Sequence, residues 1–280
     1  MKSIEINAPA KINIGLFIVS KRYDGYHNLN TLFYPLHSLF DTIKIEFAPF
    51  FNFTCSDKNL PQDENNLIVK AVRALEKIKG NSIKVKIELI KRIPYQAGLG
   101  GGSSDAAATL ISLNEMLNLG LKYEQLIDLS LELGSDVPFF IKAKAAIGKS
   151  RGELLEHVDL DIDSSILIVN PQIKISTSEA FQNIAAQDSK FDFHTVINNS
   201  KPDYSQLRKN VLNDFEPYVF SKYEEIRNIK ETMYLNDAEF ALMSGSGSSV
   251  FGIFRENQAA IKVRDLMPKN YFCWIDNPEH

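Results

Sequence analysis

Alternation opens the chain. Ala10, Ile12, Ile14, Leu16 and Ile18 fall on one face, and Lys11, Asn13, Gly15 and Phe17 fall on the other. That is the period of a β-strand, and it sets Lys11 and Asn13 side by side on the strand's second face. The run breaks at "KRYDGYH", where Asp24-Gly25 marks a turn. Strand-like alternation returns in "DTIKIEFAPFFNFTC" through Ile43, Ile45 and Phe47. In "NNLIVKAVRALEKIKG" the spacing becomes helical: Leu67, Ala71, Ala74, Leu75 and Ile78 share a face, and Gly80 ends it. "SIKVKIELI" alternates cleanly again and leads into a glycine-rich loop. "SDAAATLISLNEMLNLG" predicts a helix closed by Gly120, a second helix spans roughly Tyr123 to Leu133, and "GSDVPFFI" follows.

Between residues 145 and 165 the patterning loosens, and "SILIVNP" then predicts a strand that opens a second lobe. Residues 185–210 are polar and carry no clear period. "NDFEPYVFSKYEEIRNIKETMYLN" reads as helical, "EFALMSGSGSSVFGIF" as strand–turn–strand, "NQAAIKVRDLM" as a helix and "YFCWI" as a last strand. The sum is an α+β chain with mixed sheets in two lobes.

The loop asks for chemistry. Four glycines fall within residues 98–102 of "IPYQAGLGGGSSDAAATL". With a strand leading in and a helix leading out, the first N–H groups of the helix lack intrahelical acceptors and carry positive partial charge. Such an end suits a phosphate chain, and glycines let it approach the backbone closely. Ser103 and Ser104 offer hydroxyls to a phosphate or a metal; alternatively one of them caps the helix and the glycines form a flexible turn. No lysine follows Gly102, so this is not a Walker A loop, and Ser103 stands where a Rossmann fingerprint needs its third glycine. The protein-kinase HRD and DFG signatures are also missing. The second cluster, "MSGSGSSVFG", reads as a hairpin turn or as a second grip on the same phosphates. Lys11 reads as a solvent-facing lysine or a functional one, Asp136 as a helix cap or an acid–base group, and His27 as a surface or a binding histidine.

Composition narrows the partners. A net charge of −4 over 280 residues gives no broad basic surface for nucleic acid, though a small anionic ligand needs only a local nest of N–H groups. Cys55 and Cys273 belong to no CxxC, and five histidines show no HxxxH or HExxH spacing, so no metal set is expected. "MKSIEINAPAKINIGLF" has charges where a signal peptide needs an apolar core, and no apolar run approaches the roughly 20 residues of a membrane span. The expected location is the cytoplasm, with no membrane partner.

Together the motifs resemble the GHMP kinase superfamily: "IPYQAGLGGGSSDAAA" is similar to its phosphate loop, and "MSGSGSSVFG" to its C-terminal glycine motif. "APAKINIGLFIVSKRYDGYHNL", "ENNLIVKA", "GGGSSDAAA", "LGSDVPFFI" and "NDFEP" resemble, in order, the branch that phosphorylates the 2-hydroxyl of a cytidyl diphosphate-linked methylerythritol. The resemblance runs from residue 7 to about residue 254. It implies a two-lobed α+β GHMP kinase fold, with a ribosomal protein S5 domain 2-like lobe over residues 1–155 and a ferredoxin-like α/β sandwich over residues 156–280. The active site is then expected in the cleft between lobes. The implied cofactors are ATP and Mg2+, and the implied state is a monomer or weak homodimer.

By the same resemblance Lys11 and Asp136 match the catalytic pair, and Asn13 a substrate contact. Tyr26 and His27 match a cytosine pocket, the first stacking and the second reading the base edge, with Phe181 across the stack and Thr177 a polar contact. Asn66 and Lys91 match positions around the adenosine. Ala97, Gly98, Leu99, Gly100, Gly101, Gly102, Ser103 and Ser104 hold the ATP phosphates. Mg2+ is expected to ride on the nucleotide and water. Two departures stand out: Lys149, Ser150 and Arg151 occupy a segment expected to be small and glycine-rich, and the polar stretch around 185–200 matches no motif. A homoserine or mevalonate kinase, or a non-catalytic ligand sensor, are the competing readings. "DGYH" speaks against the first, and the presence of both Lys11 and Asp136 against the second.

Overall fold

The computed structural model describes residues 3–184 and 191–277; residues 185–190 of the unassigned polar stretch lie outside them. Its contacts gather into two compact units. The first comprises residues up to Ala10, Leu39–Tyr95 and Gly100–Ala143; the second comprises Lys11–Ser38, Gln96–Leu99 and the chain from Lys144 onward. In chain order the elements are β1 (Ser3–Lys21), β2 (His27–Phe47), β3 (Asn52–Cys55), α1 (Leu67–Lys79), β4 (Val85–Ile90), α2 (Gly101–Met116), α3 (Tyr123–Leu133) and α4 (Val137–Lys142). There follow β5 (Ala146–Ser150), β6 (Leu154–His157), β7 (Ser165–Asn170), α5 (Thr177–Gln182), a 3-10 turn at Phe193–Val196, β8 (Ile197–Asn198), β9 (Lys201–Pro202) and α6 (Tyr204–Asn210). The chain closes with α7 (Glu216–Lys222), α8 (Glu224–Leu235), β10 (Phe240–Met243), β11 (Val250–Phe254), α9 (Asn257–Leu266) and β12 (Phe272–Asp276).

In the first unit, the later half of β2 pairs antiparallel with β4, Ile43 opposite Leu89 and Ile45 opposite Ile87. β3 joins the far side of β4 in parallel. Against this lie the helices, α1 packed on α2, and α2 and α3 on α4. Asn66 caps α1, and Gly80 ends it in the left-handed conformation. The alanines of α2 explain its place: Ala106, Ala107 and Ala108 are buried with Leu110 and Leu113, and the small alanine side chains let α1, α3 and α4 approach it.

In the second unit, the early half of β2 pairs with β5, which pairs in turn with β6. A four-stranded antiparallel sheet of order β10-β11-β7-β12 forms the rest of the frame. Every residue of β7, β10 and β11 is buried, which is why the inner "ILIV" of β7 is continuously apolar rather than alternating. The core runs from Leu16 and Ile18 through Val169 and Phe215 to Ile226, Met233, Val250 and Phe254.

Four stretches differ from the sequence-based expectation. β2 extends back to His27 through Pro35, because Leu32, Phe33, Leu36 and Leu39 are buried on both faces and the alternation is lost. The loose stretch after residue 145 holds the β5–β6 hairpin, and β1 buries Lys11 and Asn13 along with its apolar face. The long helical run after "NDF" breaks in two at Tyr223.

Candidate active site

In the second unit, β1 delivers Lys11 and Asn13 to one buried point. Lys11 Nζ donates to Asn13 Oδ1 at 2.5 Å and to the Gly98 carbonyl at 3.1 Å. It also lies 5.5 Å from the centre of the Phe33 ring. Asn13 is itself fixed: its Nδ2 donates to Thr31 Oγ1 at 2.8 Å, and its backbone N–H to Ser244 Oγ at 3.2 Å. Lys11 is therefore not the solvent-facing lysine that its strand pattern allowed; only 3% of it is exposed.

The stem of the glycine loop is stitched to the same point. Lys11 N–H donates to the Leu99 carbonyl at 2.9 Å, and Ser249 N–H to the Ala97 carbonyl at 3.2 Å. Ser244 Oγ donates to the Gly98 carbonyl at 2.8 Å. Gly98 has a φ of +77°, and a Cβ there would stand 2.0 Å from the Ser244 carbonyl oxygen, so glycine is required on both counts. The second glycine motif thus braces the first, and the hydroxyls of Ser244, Ser248 and Ser249 are spent inside the protein. Ser248 donates to the Ile173 carbonyl, and Asn170 Nδ2 reaches both Ser248 and Ser249. "NDFEP" holds that brace: Asn213 Nδ2 donates to the carbonyls of Met243 and Gly245 at 2.7 and 2.8 Å, and Glu216 accepts from Met243 N–H at 2.9 Å.

In the first unit, α2 starts inside the glycine run. Gly100 is its N-cap, with φ +71° and no side chain to cap the first turn, and that turn holds no acidic residue. Gly101, Gly102 and Ser103 therefore present backbone N–H groups without a side-chain acceptor, as an anion site requires. Gly102 has open space around its Cα, the nearest atom to an added Cβ being Leu67 Cδ1 at 3.8 Å. Ser104 Oγ is buried and has no hydrogen-bond partner among the described residues. Asp136 occupies the N-cap position of α4 but makes no capping bond.

The two residues expected near adenosine have structural work. Asn66 Oδ1 caps α1 through Ile68 N–H at 2.9 Å, and its Nδ2 donates to the Pro61 carbonyl at 2.8 Å. Lys91 is buried between two buried carboxylates, bonded to Asp41 Oδ2 and, at 3.0 Å, to Asp105 Oδ2. Asp41 Oδ1 accepts in addition from the N–H groups of Arg92 and Ile93 at 2.6 and 3.0 Å. Burial pulls the Lys91 ammonium down, and the two carboxylates outweigh it, leaving Lys91 above its ordinary value. Burial pushes Asp105 up to about 8 against the attraction of Lys91. The ion cluster lies under the first turn of α2, where a Cβ on Gly101 would stand 3.2 Å from Lys91 Nζ.

The residues expected around the base all lie in the second unit. His27 stacks on Phe181, ring centres 4.8 Å apart and planes 14° from parallel. Phe181 rests edge-on against Phe215. Tyr26 is half exposed, and the Arg151 guanidinium lies over its ring at 4.7 Å. Thr177 is exposed at the start of α5 and shares a 2.9 Å hydrogen bond with Ser246. Burial, and then the charge of Lys21, hold His27 below its ordinary value of 6.5. Sequence reasoning missed Ser244, Asn213 and the Asp41–Lys91–Asp105 cluster, whose members lie far apart in the chain; "NDFEP" was the one signal pointing to Asn213.

Comparison with known proteins bears on this arrangement. Residues 66–144 match the family described as GHMP kinases N terminal domain, and residues 197–272 match GHMP kinases C terminal. A 4-diphosphocytidyl-2-C-methyl-D-erythritol kinase from Chlorobium chlorochromatii is 37% identical, covering 96% of this chain and 94% of that protein. One from Chlorobium limicola is 39% identical, covering 97% and 96%. Among solved structures, a 4-(cytidine 5'-diphospho)-2C-methyl-D-erythritol kinase superposes with a TM-score of 0.83 at 30% identity, over 97% of this chain and 98% of the other. A homoserine kinase from Cytophaga hutchinsonii gives a TM-score of 0.75 over 99% and 95%, but at 18% identity it speaks to the fold alone.

Proposed function

Because the chain belongs to the GHMP kinases, in the family of 4-diphosphocytidyl-2-C-methyl-D-erythritol kinases, we propose that it passes the γ-phosphoryl group of ATP to the 2-hydroxyl of a cytidyl diphosphate-linked methylerythritol. It is an ATP-dependent kinase of the two-domain GHMP fold, acting in the non-mevalonate route to isoprenoid precursors. The observation that carries the substrate assignment is the aromatic group at Tyr26, His27 and Phe181. A kinase of mevalonate or homoserine has no base for it to receive.

Phosphoryl transfer runs through a loose transition state, so positioning and charge stabilisation outweigh covalent chemistry. Asp136 orients the attacking hydroxyl and accepts its proton late, and Lys11 offsets charge developing on the transferred group. Support for Lys11 in that role is its fixed ammonium, held by Asn13 and the Gly98 carbonyl. The uncapped first turn of α2 and the hydroxyls of Ser103 and Ser104 take the phosphates, supported by the orphaned Ser104 Oγ. Asn66 and Lys91 shape the adenosine side through the elements they hold. Tyr26 and Phe181 take the base, His27 reads its edge, and Asn13 and Thr177 contact the rest of the substrate. Binding energy from that remote base fixes the reacting hydroxyl.

Mg2+ supplies neutralisation of phosphate charge when bound. The ion would be carried by the nucleotide and water, with the hydroxyls of Ser103 and Ser104 beside the phosphates. Both substrates are small anions of the cytoplasm, and the two unpaired cysteines suit that reducing compartment. Among the described residues no helix is long and apolar enough to cross a membrane. A monomer or weak homodimer suffices for the roles given, since all of them fall within one chain.

Asp136→Asn tests the assignment. It keeps the size of the side chain and removes the base, so kcat should fall at least roughly 100-fold while nucleotide affinity, read by calorimetric titration, is kept. Full activity in that variant removes Asp136 from the mechanism.

A further inference from the structure

The segment "GKSRGE", where the chain departs from the small residues expected, folds against the base slot. It forms the β5–β6 turn, with Ser150 at φ +62° and Gly152 at φ +105°. Glu153 holds the turn closed: its carboxylate accepts from Arg151 N–H at 2.6 Å and from Ser150 Oγ at 2.9 Å, and lies 3.7 Å from Arg151 Nε. Arg22, just past β1, donates to the same Ser150 Oγ at 2.8 Å and to Asn28 Oδ1 at 3.3 Å. It also pairs with Asp24, which accepts from Tyr26 N–H at 3.1 Å. Two turns distant in sequence, "RYDGY" and "SRGE", are thereby tied into one network.

That network ends on the Tyr26 ring. The Arg151 side chain is only 21% exposed and is pinned by Glu153, while Tyr26 stays 51% exposed with the guanidinium over it. Unsupported, a half-exposed tyrosine beside the flexible Gly25 would lose rotamer freedom on stacking against a ligand. A cation over the ring fixes it beforehand. We propose that Arg151 is a positioning residue for the cytidyl substrate, backing Tyr26 so that the ring is presented ready to stack on the pyrimidine. This rests on the base-slot reading of Tyr26. It assigns a purpose to the residues that depart from the small stretch expected there: Ser150 and Glu153 anchor Arg151, and Arg151 sets Tyr26.

A double-mutant cycle tests it. Steady-state KM for the cytidyl substrate and for ATP, kcat and Tm are measured for the intact protein, Arg151→Ala, Tyr26→Ala and the double variant. Arg151→Ala should raise KM for the cytidyl substrate roughly 3- to 10-fold, with kcat and KM for ATP within about 2-fold of the parent. Arg151→Lys, which keeps a cation over the ring, should recover part of the loss. In the Tyr26→Ala background Arg151→Ala should add nothing, because the ring it supports is gone. The inference is overturned by an unchanged KM in Arg151→Ala, by equal rises in both KM values, or by the same rise in both backgrounds, which marks a direct ligand contact. If Tyr26→Ala itself leaves KM unchanged, the base slot is wrong and the inference falls with it. If Tyr26→Ala raises KM and Arg151→Ala does not, the base slot stands and only the inference falls.

Discussion

The role proposed for His27 ties burial to recognition at a single side chain. Partial burial beneath Phe181, with Lys21 nearby, keeps its imidazole neutral at pH 7, because both act against the charged form. A neutral ring has one donor and one acceptor nitrogen, which is what the edge of a cytosine demands. With its acid dissociation shifted below 6.5, His27 takes a proton only on the acid side of that value, and the binding role proposed for it would be lost as pH falls. KM for the cytidyl substrate should hold steady from about pH 8 to 6.5 and rise below it, while KM for ATP does not follow. His27→Ala should raise KM for the cytidyl substrate throughout and remove the acid-side rise. An identical pH profile in parent and variant would place the titration elsewhere.

The glycine loop and the helix it opens divide their residues between fold and ligand, and substitution separates the two. Gly98→Ala drives a Cβ to 2.0 Å from the Ser244 carbonyl oxygen at a φ of +77°; it should cost more than about 2 kcal/mol of stability, seen as a lower urea midpoint. Gly102→Ala meets only Leu67 Cδ1 at 3.8 Å, so it should leave the midpoint unchanged or raise it, and raise KM for ATP by crowding the phosphates. An unaltered KM for ATP in a stable Gly102→Ala protein would deny that the phosphates approach there. In the same helix, burial outweighs Lys91 and pushes Asp105 up to about 8 in the folded chain against 3.8 ordinarily. The folded state therefore holds a proton that the unfolded chain releases, and this stabilisation, complete below pH 3.8, is lost as pH rises through about 8. Between about pH 6 and 8 the urea midpoint should fall more steeply in the parent than in Asp105→Asn; parallel slopes would show that Asp105 keeps its ordinary acidity.

Much of the architecture was legible because its signals are local. The alternation of β1 placed Lys11 and Asn13 on one face, the period of α1 was bounded by Asn66 and Gly80, and the glycine run sat between β4 and α2. What stayed hidden is long-range. Lys91 gave no sign of its two carboxylates, because Asp41 and Asp105 come from β2 and α2. Nor did "GSGSS" show that the hydroxyls of Ser248 and Ser249 are taken up by Asn170 and the Ile173 carbonyl. The start of β2 was lost because burial on both faces erases alternation. The proposed activity draws on both kinds of feature, the uncapped helix start assigned to the phosphates and the aromatic group assigned to the base. One comparison weighs them together: ADP release by the purified protein with ATP and Mg2+, offered the cytidyl diphosphate-linked methylerythritol, mevalonate or homoserine in parallel. The cytidyl substrate should be phosphorylated with a kcat/KM at least roughly 1000-fold above the other two, since acceptors without a base leave the slot unfilled. Comparable turnover of mevalonate or homoserine, or silence with the cytidyl substrate, would contradict the assignment.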